Sequence, residues 1–331
     1  MLTGYATAEG RLRALNDVFS EKESAVWIDI LRPTAEEETS LEKALAIEIP
    51  TLEEMQEIEV SSRLYTDGDA AFMTALILSH TDGDDPNISP ITFALAGGRL
   101  LTIRYEDPRA VSGFISRAQK TSFGCASAES ILVALLEAIV DRLADLLERI
   151  AADTDKLSRE IFRAPGKRPT ASRDYRRHIV ELGRKGDFAS KVLDSLVTLE
   201  RLFGFLILQT DQRATAPDGG KKPDKELKAR LKTLGRDAHS LTEHVTHVQQ
   251  KVTFLLEATL GMINIEQNAI IKTFSVAAVA FLPPTLIASI YGMNFDVMPE
   301  LGWPFGYPFA IGLMFLSAIL PLVYFKQKGW L

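Results

Sequence analysis

Tyr291-Gly292-Met293-Asn294 sits between two long apolar runs, and those runs decide the architecture. No residue is charged from Thr273 to Phe295, about 23 positions, or from Leu301 to Phe325, about 25. A bilayer core about 30 Å thick takes about 20 apolar helical residues to cross. Each run suffices, and only Asp296-Val297-Met298-Pro299-Glu300 separates them. The chain therefore reads as ending in a membrane hairpin with a short acidic loop. Lys272 precedes the first span, and Lys326 and Lys328 follow the second. The positive-inside rule puts these lysines in the cytoplasm and the acidic loop outside, so both termini are expected to be cytoplasmic.

Upstream of the hairpin, Leu227, Leu231, Leu234, Ala238, Leu241, Val245, Val248, Val252, Leu255, Thr259 and Met262 follow one another at steps of four and three. An unbroken seven-residue repeat is a coiled-coil-like seam. No proline separates the seam from the first span, so one helix of about 70 residues, some 105 Å long, is expected from Pro223 to about Tyr291. Such a rod could carry a change in the soluble part into the membrane. The same seam also suits a three-helix bundle with a membrane tail.

Two helices precede the rod. Ser127-Ala128-Glu129-Ser130 opens the first, with Ile131, Leu135, Ile139, Leu143, Leu146 and Ile150 on one face and an end near Ala164-Pro165-Gly166. The second runs from about Thr170 to Thr210. The turn Ala216-Pro217-Asp218-Gly219-Gly220 and the start at Pro223-Asp224 then lead into the rod.

Residues 1 to about 120 mix strand and helix signals. Strands are expected at Ala25–Ile30, Arg63–Thr66 and Ala71–Ser79, with a turn at Asp67-Gly68. Ile91–Leu95 and Leu100–Arg104 flank Gly97-Gly98 as a hairpin. Thr34 is a plausible N-cap with Glu36, Glu37 and Glu38 in the first turn. Ile49-Pro50 breaks that helix, Thr51 starts another, and Asp107-Pro108 reads as an N-cap followed by a first-turn proline. The expected divisions are an α/β domain with a mixed sheet (1–120), a helical pair (121–222), a stalk (223–272) and the hairpin with its tail (273–331).

The 331 residues carry a net charge of -7, which argues against a nucleic-acid partner. A single cysteine, Cys125, allows no intrachain disulfide and no cysteine-rich metal site. The N-terminus lacks a basic segment followed by an apolar core, so no signal peptide is expected. No glycine-rich phosphate loop, nucleophile elbow or acid–base pair stands out, so the chain does not read as an enzyme or as a holder of an organic cofactor. His239, His244 and His247 are the only metal-like cluster, with a spacing that could hold zinc, but they flank seam positions.

Glu257, Gly261, Asn264, Asn268, Ile271, Ser275, Ala278, Leu282, Thr285 and Ser289 fall on one face of the rod. Polar groups within a membrane are costly unless they meet one another or line water. This stripe suits a pore, although Ser275, Thr285 and Ser289 could equally bond back to their own helix. Neither span contains a carboxylate. A pore without fixed charge could not easily strip a hydrated ion of its water and would grip it through uncharged oxygens, for which Asn294 is suited. Gly292 could end the helix in the left-handed conformation. Pro283-Pro284 would remove backbone donors beside Leu282 and kink the helix.

Gly292-Met293-Asn294, Met298-Pro299-Glu300-Leu301 and the ending Tyr324-Phe325-Lys326-Gln327-Lys328-Gly329-Trp330-Leu331 together resemble the CorA family of magnesium channels. The resemblance implies an α+β cytoplasmic domain, long helices and a two-helix transmembrane hairpin, assembled as a homopentameric funnel in the cytoplasmic membrane. It implies passive transport of hydrated magnesium, with cobalt and nickel as further candidate ions. Selection would lie at a ring of Asn294, with Asn268, Ile271, Phe274, Leu282 and Thr285 lining the pore. Ser289 stands where some members have glycine. Asp296 and Glu300 are the outer-loop carboxylates. The family also implies closure by intracellular magnesium, for which Glu53, Glu54, Glu57, Asp82, Asp84, Asp85 and Glu257 are candidates. Two other readings stand beside this one: a proton-coupled zinc transporter of the same family, and a membrane-anchored sensor or scaffold that conducts nothing.

Overall fold

The computed structural model describes residues 1–21, 23–83, 86–122, 125–162, 172–215, 225–294 and 298–329. Contacts group the chain into two units, residues 1–169 with 176–256, and residues 170–175 with 257–331.

The first unit begins with a seven-stranded mixed sheet. Its strands are β1 (Leu2–Ala8), β2 (Arg11–Ala14), β3 (Trp27–Leu31), β4 (Leu64–Asp67), β5 (Ala70–Ser79), β6 (Asn87–Ala96) and β7 (Arg99–Arg104). They lie in the order β2-β1-β3-β7-β6-β5-β4, and β3 and β7 pair in parallel. Alternate residues of a strand point to opposite faces, and here both faces are covered. Ile28, Ile30, Phe72, Ala94, Leu101 and Ile103 join Leu41 of α1 (Ala35–Leu45) and Met55 of α2 (Leu52–Gln56) in one core. Trp27, Met73, Ala75, Ile77, Phe93 and Leu100 join α4 (Arg109–Lys120) and the long helices in the other. A one-turn helix, α3 (Val60–Arg63), leads into β4.

Local chemistry sets the element ends. Thr34, Thr51 and Ser127 each form a reciprocal capping box with the residue three positions on, Glu37, Glu54 and Ser130. Gly97 and Gly98 both have positive φ, as the tight hairpin between β6 and β7 requires. Several expected boundaries move. α1 stops at Leu45, before Ile49-Pro50, because Ala46 turns into the left-handed region. Pro108 is itself the N-cap of α4, since the Asp107 carboxylate is taken by Arg104. β3 begins at Trp27, and β1 and β2, which the sequence reading passed over, form the sheet's first hairpin.

α5 (Ala128–Ile161) presents Ile131, Leu135, Ile139, Leu143, Leu146 and Ile150 to the core, each nearly fully buried. It ends at Ile161, short of the expected Ala164, which lies outside the described residues, as do Pro165-Gly166. α6 (Ser172–Thr215) buries Leu182, Val192, Leu196, Leu199 and Leu206, and its Thr198 hydroxyl accepts a hydrogen bond from the Leu76 N–H of β5 at 3.0 Å. That bond covers the edge of β5 beyond the end of β4. The expected turn at 216–220 and the helix start at Pro223-Asp224 lie outside the described residues.

α7 (Lys225–Tyr291) is one helix of 67 residues. Its seam is buried at Leu231, Leu234, Ala238, Val245, Val248, Val252, Leu255 and Thr259, and half-buried at Leu227, Leu241 and Met262. The helix runs through Pro283 and Pro284. After it come a short 3-10 helix, Pro299–Gly302, and α8 (Gly306–Gln327). The second apolar helix thus starts five residues later than the charge-free run. Pro299 and Pro304 supply no N–H, and the chain makes two successive turns, at Glu300–Trp303 and Trp303–Gly306, before α8 begins. Both α7 and α8 are long and apolar enough to cross a membrane, and little of either apolar window is buried.

Candidate functional site

The C-terminal part of α7 carries the candidate conducting face. At 3.6 residues per turn, successive residues are rotated by about 100°. Val276 and Ala280 are buried within the second unit, and Pro283, Pro284 and Ile287 are half-buried beside them. Ile271, Ser275, Ala278, Leu282, Thr285 and Ser289 are exposed and centre about 160° around the helix from that packed face. Glu257, Asn264 and Asn268 are exposed too, and Gly261 is half-buried. The polar stripe therefore lies within the surface that its own unit leaves uncovered, a surface that also includes Val279, Phe281, Leu286 and Ile290. It is not purely polar: Ile271 is 60% exposed, Leu282 66%, and the adjacent Phe274 72%.

The stripe's hydroxyls differ from one another. Thr285 Oγ1 donates back to the carbonyls of Phe281 at 2.6 Å and Leu282 at 3.0 Å, so its hydroxyl is turned onto its own helix. Its lone pairs remain free to accept from water. Ser275 and Ser289 have no side-chain hydrogen bond among the described residues.

At the end of α7 the Gly292 N–H still donates to Ala288 O at 2.9 Å, and Met293 N–H tightens onto Ile290 O at 3.2 Å. Gly292 does not take a positive φ. The expected left-handed ending is therefore absent, because the helical bond pattern continues one residue further. What favours glycine here is crowding: a Cβ at 292 would lie 3.1 Å from Ala288 O. Met293 and Asn294 are exposed. Asp296 lies outside the described residues, while Glu300 is exposed on the 3-10 helix.

An aromatic group that the sequence reading left unused follows. Trp303, Phe305 and Tyr307 are strongly exposed, and the Trp303 ring lies 6.4 Å from Phe305 and 5.7 Å from Phe309. The signal was Trp303-Pro304-Phe305-Gly306-Tyr307, an aromatic run at the end of an apolar span, where interfacial anchors belong.

The described carboxylates expected for regulation form no cluster. Among the described residues no group of three or more His, Cys, Asp or Glu could hold a metal. Asp82 is paired with Arg109 and Arg142, while Arg142 and Arg149 also bind Thr81. Those two arginines escaped the sequence reading, although their spacing of seven puts them on one face of α5. Glu54 is occupied in its capping box, Glu57 caps the end of α2, and Glu53 and Glu257 are exposed. Asp84 and Asp85 lie outside the described residues. His244 and His247 are exposed on the flank of the seam, and His239 faces Glu200 at 3.6 Å.

Residues 22–327 match the family model described as CorA-like Mg2+ transporter protein. The chain is 36% identical over 332 residues to the magnesium transport protein CorA of Pasteurella multocida, covering all of both chains. It is also 36% identical over 332 residues to that of Escherichia coli K12, again over the whole of each. Its fold is similar to the complete structure of the CorA magnesium transporter from Methanocaldococcus jannaschii, with a TM-score of 0.77 and 20% identity over 100% of this chain and 99% of that one.

Proposed function

The chain belongs to the CorA family of Mg2+ transporters, and from that premise we propose that it passes hydrated magnesium through a pore lined by the exposed stripe of α7. The observation that carries this reading is the stripe itself. It lies away from the packed face of α7 and leads to Gly292-Met293-Asn294. Within a bilayer such a face needs other polar surfaces or water. Copies of α7 around an axis, five in the assembly this family resemblance implies, supply both.

In this reading Asn268, Ser275, Thr285 and Ser289 offer oxygens to the ion's coordinated water. Ile271, Phe274 and Leu282 narrow the path between them. Asn294 holds the hydrated ion at the outer mouth as an uncharged acceptor, which suits an ion that sheds water reluctantly. Asp296 and Glu300 draw cations to that mouth. Cobalt and nickel share the path. The protein lies in the cytoplasmic membrane with both termini inside, divided into an α/β domain (1–120), a helical pair (121–222), a stalk (223–272) and the hairpin (273–331). Magnesium on the inside closes the pore. As the family resemblance implies, the closing ion is held between soluble domains, with Glu53, Glu54, Glu57, Asp82, Asp84, Asp85 and Glu257 available for it.

The test is uptake by proteoliposomes holding the purified protein, with magnesium, cobalt and zinc in turn. Magnesium uptake should be lost in Asn294→Ala while the oligomer stays intact. Zinc uptake alone, rising with a proton gradient, would replace this reading with the zinc transporter. No flux of any ion from an assembled oligomer would leave a scaffold.

A further inference from the structure

Gly306, the first residue of α8, lies against the 3-10 helix that carries Glu300. A Cβ built on Gly306 would fall deep inside van der Waals contact with the Glu300 carbonyl oxygen, 3.5 Å from its carbonyl carbon and 3.9 Å from Trp303 Cβ. The atom it would meet is backbone, so no rotamer change could relieve the overlap. Two hydrogen bonds tie the same three residues together. Trp303 N–H donates to Glu300 O at 3.3 Å, and Gly306 N–H donates to Trp303 O at 2.9 Å. The Trp303 ring then packs on Phe309, one turn into α8.

Glu300 is therefore mounted on the first turn of a membrane helix rather than carried on a free loop. We infer that Gly306 is a positioning residue for cation capture: its bare Cα lets the 3-10 helix seat on α8 and so fixes the Glu300 carboxylate at the outer mouth. This inference rests on the transport reading above and adds a determinant to it. A fixed carboxylate raises the local cation concentration. A carboxylate on a displaced turn spreads its charge over more positions and is screened more fully by salt.

The experiment measures initial magnesium uptake by full-length protein in proteoliposomes against external magnesium, at low and high monovalent salt. Wild type, Gly306→Ala, Glu300→Gln and the double variant are compared. Gly306→Ala should raise the half-saturating magnesium concentration about three- to tenfold at low salt while the maximal rate stays within about twofold. Glu300→Gln should do the same, the double variant should go no further than Glu300→Gln alone, and high salt should erase the differences. A lowered maximal rate with unchanged half-saturation, or multiplicative effects in the double variant, would overturn the inference. Should Gly306→Ala fail to assemble, Trp303→Ala loosens the same turn without overlap and is judged by the same two outcomes. Wild-type uptake that ignores Glu300→Gln sinks this inference alone. Absence of wild-type uptake sinks the transport reading beneath it.

Discussion

Asp29 and Arg104 form a charged pair inside the sheet, each side chain only 5% exposed, with Arg104 donating to both Asp29 oxygens at 2.9 and 2.8 Å. Burial works against the guanidinium charge, but the hydrogen bonds and charge of Asp29, then of Asp107, outweigh it and hold the Arg104 pKa above its ordinary value. Thr102 donates to the same Asp29 oxygen at 2.6 Å and accepts from Trp27 Nε1 at 3.1 Å. The network thus ties β3 to β7 at their parallel register, Asp29 opposite Thr102. Removing one partner leaves a buried charge unpaired. Asp29→Ala should cost about 3–5 kcal/mol, seen as a lowered denaturant midpoint of the detergent-solubilised protein. A change within about 0.5 kcal/mol would mean water replaces the carboxylate. The sequence shows an Asp in one strand and an Arg in another, but only parallel pairing of β3 with β7 brings them together.

At the scale of elements, the signals that were legible are those with a local cause. The caps at Thr34, Thr51 and Ser127 and the turn at Gly97-Gly98 depend on a few neighbouring residues. The α7 seam depends on a repeat long enough to survive any single exception. Ser127→Ala removes the oxygen that accepts from Ser130 N–H at 3.2 Å and should cost about 1 kcal/mol, read as a lower thermal midpoint. An unchanged midpoint would mean that tertiary packing alone fixes the start of α5. The first hairpin was hidden because β1 contains Gly4, a poor strand residue. It fits there because Val18 and Leu15 pack on it, 3.0 and 3.1 Å from where a Cβ would be. The tighter clue was Glu9-Gly10, both at positive φ in the turn. The connection between α7 and α8 was judged too short because charge was taken as its boundary. Backbone turns set that boundary instead, and they extend through uncharged Gly302, Trp303 and Pro304.

For the whole molecule, membership of a transporter family and the two apolar helices agree. The central claim is that one face of α7 lines the ion path. Sequence spacing drew the face, but only the burial of Val276 and Ala280 shows which side the unit itself covers. The protein offers a clean chemical test, because its single cysteine, Cys125, is fully buried. One measurement decides: magnesium uptake before and after a charged, water-soluble thiol reagent, in Ser289→Cys and Ile290→Cys. Ile290 is 45% exposed but lies about 100° around the helix from Ser289. The account predicts that the reagent blocks uptake through Ser289→Cys and leaves Ile290→Cys unaffected. Block at Ile290→Cys with Ser289→Cys unaffected would contradict it and place the ion path on another face of the helix.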